Sequence, residues 1–144
     1  GFSMRPDSPN RLAPGKRPMH TLNAYLITRG DALAYVGGTP GGDIQVQTNL
    51  QVIARLIDDG MEPQHAIEQP RWAWQPAQST DPSAGTLSIE AADDALLDAL
   101  RQRGHSIRTT PLGTHPSAVQ VIQRVGDCYR AGSDPRAEGQ AGGY

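Results

Sequence analysis

In the segment Gly37-Gly38-Thr39-Pro40-Gly41-Gly42-Asp43, the chemistry on offer belongs to the backbone rather than to side chains. Four glycines and a proline in seven residues leave main-chain N–H groups with little around them. Glycine permits positive φ and lets another molecule come close to the main chain. A helical apolar spacing follows at once, from Val46 to Gly60, so the turn opens a helix. The start of a helix has unused N–H donors and the positive end of its dipole. Such a place suits an anion, or an oxyanion that develops during acyl transfer. The pattern is neither a phosphate loop ending in Gly-Lys-Ser/Thr nor a G-x-G-x-x-G dinucleotide turn. Taken alone, the turn leaves two readings open: a donor site, or a bend that feeds a strand into a helix.

The other residues with chemical potential are read structurally. Asp93-Asp94 open a helix and complement its dipole; a catalytic carboxylate pair would have to converge from separate elements. His65, His105 and His115 stand in different segments without metal-ligand spacing, so no metal site is expected, and no cofactor. Trp72 and Trp74 share one strand face at i, i+2 and are read as packing on a sheet rather than as a stacking platform. Asp134-Pro135-Arg136 is expected to form an ion pair that fixes the end of the last strand. The single cysteine, Cys128, rules out an internal disulfide and a Cys-based zinc site, and its strand-like setting is read as that of a buried, inert thiol.

The elements that must hold the turn alternate in type. Residues 1–20 carry Pro6, Pro9, Pro14 and Pro18, which bar regular helix and predict an extended, turn-rich segment. Gly15-Lys16-Arg17 within it is read as a solvated loop, with a contact to a substrate carboxylate as the sharper alternative. Met19 to Arg29 and Ala32 to Val36 predict an antiparallel hairpin about Gly30-Asp31. In the helix after the glycine turn, Val46, Leu50, Ile53, Ala54 and Ile57 are expected to form the buried face. A short helix over Glu62–Glu68, a strand at Arg71–Trp74, a polar loop and a strand at Thr86–Glu90 follow. Next come a helix over Asp93–Arg103 with Leu96, Leu97 and Leu100 inward, and strands at His105–Thr109, Ala118–Val125 and Cys128–Ala131. Strand pairs interleaved with helices predict a layered α/β sandwich with a mainly antiparallel sheet.

Composition narrows the function classes. The length of 144 residues suits a single domain, here 1–144, or part of a larger protein. A formal charge of −2 gives no electrostatic case for nucleic acid or an anionic membrane. No apolar run approaches the roughly 20 residues needed to span a bilayer, and no signal segment is read.

Several pieces, in order along the whole chain, resemble the small-subunit region of the γ-glutamyltranspeptidase family. They are Phe2-Ser3, Pro9-Asn10, Gly15-Lys16-Arg17-Pro18, Gly38-Thr39-Pro40-Gly41-Gly42, Asp59-Gly60-Met61, Ala66-Ile67, Pro70-Arg71 and Ile89-Glu90. Gly132-Ser133-Asp134-Pro135-Arg136 and Ala141-Gly142-Gly143-Tyr144 close the series. The resemblance implies the αββα sandwich of the N-terminal nucleophile hydrolases, of which this chain would be the C-terminal part. It implies a precursor that cuts itself to free an N-terminal threonine. The threonine's own α-amine acts as base, and the hydroxyl attacks a γ-glutamyl amide of the glutathione type. The acyl-enzyme then passes its acyl group to water or an amino acid.

Carried over by position, Gly41 and Gly42 are the implied oxyanion donors, and His20 and Thr21 take the places of two serines that hold the substrate α-carboxylate. Thr21 keeps a hydroxyl; His20 replaces one with an imidazole. Gly1 occupies the place of an Asp that binds the substrate α-amine, and Asp43 that of a Ser. These departures fit the broader transpeptidase-like branch. The nucleophilic threonine and the large subunit are expected upstream of Gly1. The isolated chain is therefore expected to be inactive and to self-associate through an uncovered apolar face. The alternative reading is a non-catalytic binding or assembly domain that keeps the fold.

Overall fold

The computed structural model describes residues 2–17, 22–77, 81 and 84–143, and holds two sheets and three α-helices. β1 (Ala24–Arg29) and β2 (Ala32–Gly38) form the expected hairpin, with a register shift between Ile27 and Thr28. A 3₁₀ turn at Gly42–Ile44 leads into α1 (Gln45–Ile57), and α2 (Pro63–Glu68) follows with proline in its first turn. β3 (Trp72–Pro76), β4 (Gly85–Glu90), α3 (Asp94–Gln102), β5 (Ser106–Thr110), β6 (Gln120–Val125) and β7 (Cys128–Ser133) complete the order. One sheet runs β1-β2-β6-β7 and is antiparallel throughout. The other runs β3-β4-β5, with β3 antiparallel and β5 parallel to β4. The parallel pair needs a crossover, which α3 supplies. Asp93 caps that helix by accepting the Leu96 N–H at 2.8 Å.

The core lies between one face of the four-stranded sheet and the helices α1 and α2. Tyr35 and Val121 from the sheet, Val52 and Leu56 from α1, Ala66 and Ile67 from α2, and Val119 form one buried cluster. Gly132 lets α2 come close. A Cβ there would lie 2.8 Å from Ile67 Cδ1 and 2.9 Å from the Gln64 nitrogen.

The buried face of α1 is not the expected one. Val46 is 69% exposed and Leu50 60% exposed, while Thr48, Asn49, Gln51, Val52 and Leu56 are buried. The reason lies in β3, an edge strand whose outward backbone groups need partners. Gln51 Nε2 donates to Trp72 O and its Oε1 accepts the Trp72 N–H, both at 2.9 Å. One helical turn earlier, Gln47 Nε2 donates to Trp74 O at 2.9 Å and Oε1 accepts the Trp74 N–H at 2.8 Å. Two glutamine amides thus act as a substitute strand, and the helix turns its polar side inward to place them.

Two smaller expectations also change. In α3 only Leu97 is fully buried, and Leu96 is exposed. Cys128 is exposed at the start of β7, on an edge of its sheet, rather than buried.

Candidate active site

The glycine turn joins β2 to α1 and lines a cavity of about 530 Å³ with Leu22, Asn23, Ala24 and Gln45. Gly41 has φ 142° and Gly42 φ 58°. Both values lie in the region that favours glycine over any residue with a Cβ. Among the described residues, neither the Gly41 nor the Gly42 N–H donates a hydrogen bond. The Gly41 carbonyl accepts the Ile44 N–H at 3.3 Å and the Gly42 carbonyl accepts that of Gln45, so the acceptors are used and the donors are left over. A Cβ on Gly42 would meet nothing within 4 Å, because the turn is open on that side.

Side chains fix the turn from behind. Thr39 is buried, and its hydroxyl lies 2.6 Å from both the Pro40 and Ala118 carbonyls. Its one proton can serve either acceptor. Gln45 Nε2 donates to the Thr39 carbonyl at 3.0 Å. Behind Gly41 stands Ser117, whose Cβ would be 2.9 Å from a Cβ on that glycine. The turn therefore leans on residues 117–118, in the segment that leads into β6.

That segment is itself held by a buried set of four charged side chains. Arg71 Nη2 lies 2.6 Å from Asp134 Oδ2, Arg136 Nη1 3.2 Å from Asp134 Oδ1, and Arg136 Nη2 2.5 Å from Glu90 Oε2. Each of the four side chains is 1% exposed or less. The carboxylates reach the segment through its amides: the His115 N–H donates to Glu90 Oε1 at 2.7 Å and the Val119 N–H to Asp134 Oδ2 at 2.8 Å. Between them, Arg71 Nη1 donates to the Ser117 carbonyl at 3.0 Å. Two cations and two anions balance, which is what makes charge this deep tolerable. Burial pushes the Glu90 carboxyl up. The Arg136 guanidinium and the N–H groups of His115 and Arg71 outweigh this and hold it at about 2.

Of the residues expected at the site, Gly41 and Gly42 stand in it. His20 and Thr21 lie outside the described residues; their neighbours Leu22 and Asn23 line the same cavity. Lys16 Nζ donates to the Pro9 carbonyl, so its ammonium is engaged within its own loop. Asp134 and Arg136 do form the expected ion pair, and Arg71 and Glu90 join it. In the sequence these two stood as ends of expected strands and as pieces of the family resemblance, with no ion pair assigned to them. Thr39, His115 and Ser117 had no signal for this role, because their contacts are made by folding rather than by spacing. A larger concavity of about 910 Å³ lies on the outer face of the four-stranded sheet, lined by Val36, Ile122, Tyr129 and residues 141–143 among others.

The fold that carries this turn, mixed α/β with antiparallel sheets, is shared with solved N-terminal nucleophile hydrolases. A cephalosporin acylase from Bacillus halodurans superposes with a TM-score of 0.79 at 32% identity, over 96% of this chain and 25% of that one. An acivicin-inhibited gamma-glutamyltranspeptidase superposes with a TM-score of 0.76 at 27% identity, over 95% of this chain and 77% of that one. The family profile described as Gamma-glutamyltranspeptidase matches residues 1–144, and the chain belongs to that family, aligning with its C-terminal part. Among curated relatives, it is 33% identical to the Glutathione hydrolase-like YwrD proenzyme of Bacillus subtilis, over 99% of this chain. It is 32% identical to the Oxamate amidohydrolase proenzyme of Klebsiella pneumoniae, again over 99%. The chain spans 27% of the length of each of these two.

Proposed function

We propose that this chain is the small-subunit portion of an amide-cleaving acyl-transfer enzyme, in which the Gly41 and Gly42 N–H groups receive the oxyanion of the tetrahedral intermediate. The observation that carries this reading is the pair of unpartnered donors on positive-φ glycines at the edge of a cavity. An amide carbonyl bound there has its oxygen at the donors. When a nucleophile attacks the carbon, negative charge moves to that oxygen. Fixed N–H dipoles stabilise it without reorganisation. Collapse expels the amine and leaves an acyl-enzyme, which water or an amino acid then resolves.

The nucleophile in this reading is the N-terminal threonine of a self-cut precursor, supplied by sequence outside these residues. The relatives named as proenzymes support that assignment. The acyl donor is a γ-glutamyl amide of the glutathione type or a related small amide. His20 and Thr21 are the proposed contacts to its carboxylate. The partner is the upstream, large-subunit region of the same precursor. Leu26 and Ile122 on the outer sheet face, and Val46 and Leu50 on α1, are exposed apolar residues available to it.

Gly42→Ala in the complete enzyme tests the reading. The substitution keeps the N–H but puts a Cβ on backbone at φ 58°, a strained conformation whose relief turns the donor away from the cavity. Loss of one oxyanion donor costs about two to three orders of magnitude in turnover. We expect kcat on a γ-glutamyl anilide to fall by about that much, with KM far less affected. A variant that melts like the parent and turns over at the parental rate removes the oxyanion role. The fold would then serve binding or assembly.

A further inference from the structure

Under the glycine turn runs a short line of hydroxyl and imidazole groups that the acyl chemistry leaves unused. Thr48 Oγ1 donates to the Ile44 carbonyl at 3.1 Å, one helical turn back. Its single proton is then spent, so at 2.9 Å it accepts the Ser117 hydroxyl proton. Ser117 Oγ in turn accepts from His115 Nδ1, also at 2.9 Å. This count of protons makes His115 the Nδ1–H tautomer. Its Nε2 is buried and has no hydrogen-bond partner. Burial and the positive charges of Arg71 and Arg136 press its pKa below the ordinary 6.5, against the opposing pull of Glu90 and the Trp72 backbone, so the ring is neutral.

Ser117 is the middle of this line and also the residue behind Gly41. We infer that Ser117, held between His115 and Thr48, is a positioning residue that sets the Gly41 backbone against the first turn of α1. The inference rests on the oxyanion reading for its catalytic meaning and on the hydrogen-bond line for its geometry. A hydroxyl bonded on both sides ties residue 117 to α1 through Thr48 and to His115, and so holds its Cβ at a fixed distance from the turn. Donor direction is what an oxyanion site has to keep. A displacement of 1 Å can cost about a hundredfold in rate, and a smaller shift about tenfold.

The test uses the complete enzyme and four variants. Ser117→Ala and His115→Leu should each lower kcat on a γ-glutamyl anilide about tenfold, with KM nearly unchanged. The double variant should lose no more than either alone, because both cut one line. His115→Asn keeps a donor at the Nδ1 position and should restore most of the rate. Independently of any rate, the ¹⁵N–¹H resonances of Gly41 and Gly42 should move in Ser117→Ala and His115→Leu and return in His115→Asn. The His115 ring should show its proton on Nδ1. Unmoved glycine resonances, additive losses, or a proton on Nε2 overturn the inference. If Ser117→Ala does not fold, the two His115 variants decide it alone. Gly42→Ala separates the two claims. If it keeps the parental rate, the oxyanion reading falls and the resonances still judge the positioning. If it loses rate while the Ser117 and His115 variants do not, the positioning falls.

Discussion

The glycine turn and the four buried charges lie on either side of residues 115–119, and they treat polar groups in opposite ways. Around the charges almost every donor and acceptor is used. Arg136 alone bonds to Glu90, Asp134 and the carbonyls of Ile67 and Gln69. Of the polar atoms on these four side chains, all among the described residues, only Arg71 Nε is left without a partner. At the turn the N–H groups of Gly41 and Gly42 are left over. Unused donors on a mobile loop would find water or a nearby carbonyl. Here the bonded region keeps the segment behind the turn still, so the spare donors can stay spare. Saturation in one place is what permits vacancy in the other.

The sharpest way to break that contrast is to unbalance the charges. Asp134→Ala removes the partner of Arg71, the second partner of Arg136 and the acceptor of the Val119 N–H together. Breaking a buried pair from one side costs about 3–5 kcal/mol, since the remaining charge stays buried. We expect a loss of that size in chemical denaturation of the complete protein. A loss under about 1 kcal/mol would mean that the set is not the support described.

A smaller effect is expected where the partners are neutral. Gln51→Leu keeps the volume in α1 but strips the Trp72 N–H and carbonyl of their partners. Leaving a buried backbone group unpaired costs about 1–3 kcal/mol. Stability should fall by about that amount, read again by denaturation, with little change in kcat because the Gln51 amide faces β3 rather than the glycine turn. An unchanged midpoint would show that water replaces the amide and that the edge of β3 needs no substitute strand.

The mildest probe is acid. His115 has a folded pKa below its ordinary 6.5, so the unfolded chain binds a proton first as pH falls. Its stabilising contribution is whole above about pH 6.5 and is lost as pH drops from there through its folded value. Glu90 sits at about 2 against an ordinary 4.5, so its contribution is whole above about 4.5 and lost on the way to about 2. A melting curve taken against pH should decline in two stages. His115→Asn should erase only the first. A single decline beginning below pH 5 in the parent would contradict the neutral, buried imidazole.

Much of this was legible in the residues. The glycine turn, the β1–β2 hairpin about Gly30, the helix over Pro63–Glu68 and the capped start of α3 all follow from local chemistry: positive φ, proline at a helix start, an aspartate cap. The face of α1 did not. Helical spacing says that Val46 and Leu50 share a side with one another; it cannot say that β3 will need the amides of Gln47 and Gln51 on a different side. Cys128 misled for a similar reason, since a strand-like run does not reveal which strand ends at a sheet edge. The Asp134–Arg136 pair could be read because it is local. Its joining to Arg71 and Glu90, 63 and 46 residues away in the chain, could not, because only the folded sheets bring them together.

The positions of those four charges set a schedule for folding. Arg71 and Glu90 leave the ribosome well before Asp134 and Arg136. Until the later pair arrives, the core around Ile67 and Val119 cannot close without burying Arg71 and Glu90 apart from the side chains they pair with. A nascent chain with everything up to β7 has its strands and helices but no way to bury Arg71 at low cost. The core is thus held open until Asp134 and Arg136 have been made, and a chain cut short after Ser133 would present to the cell's proteases as unfinished.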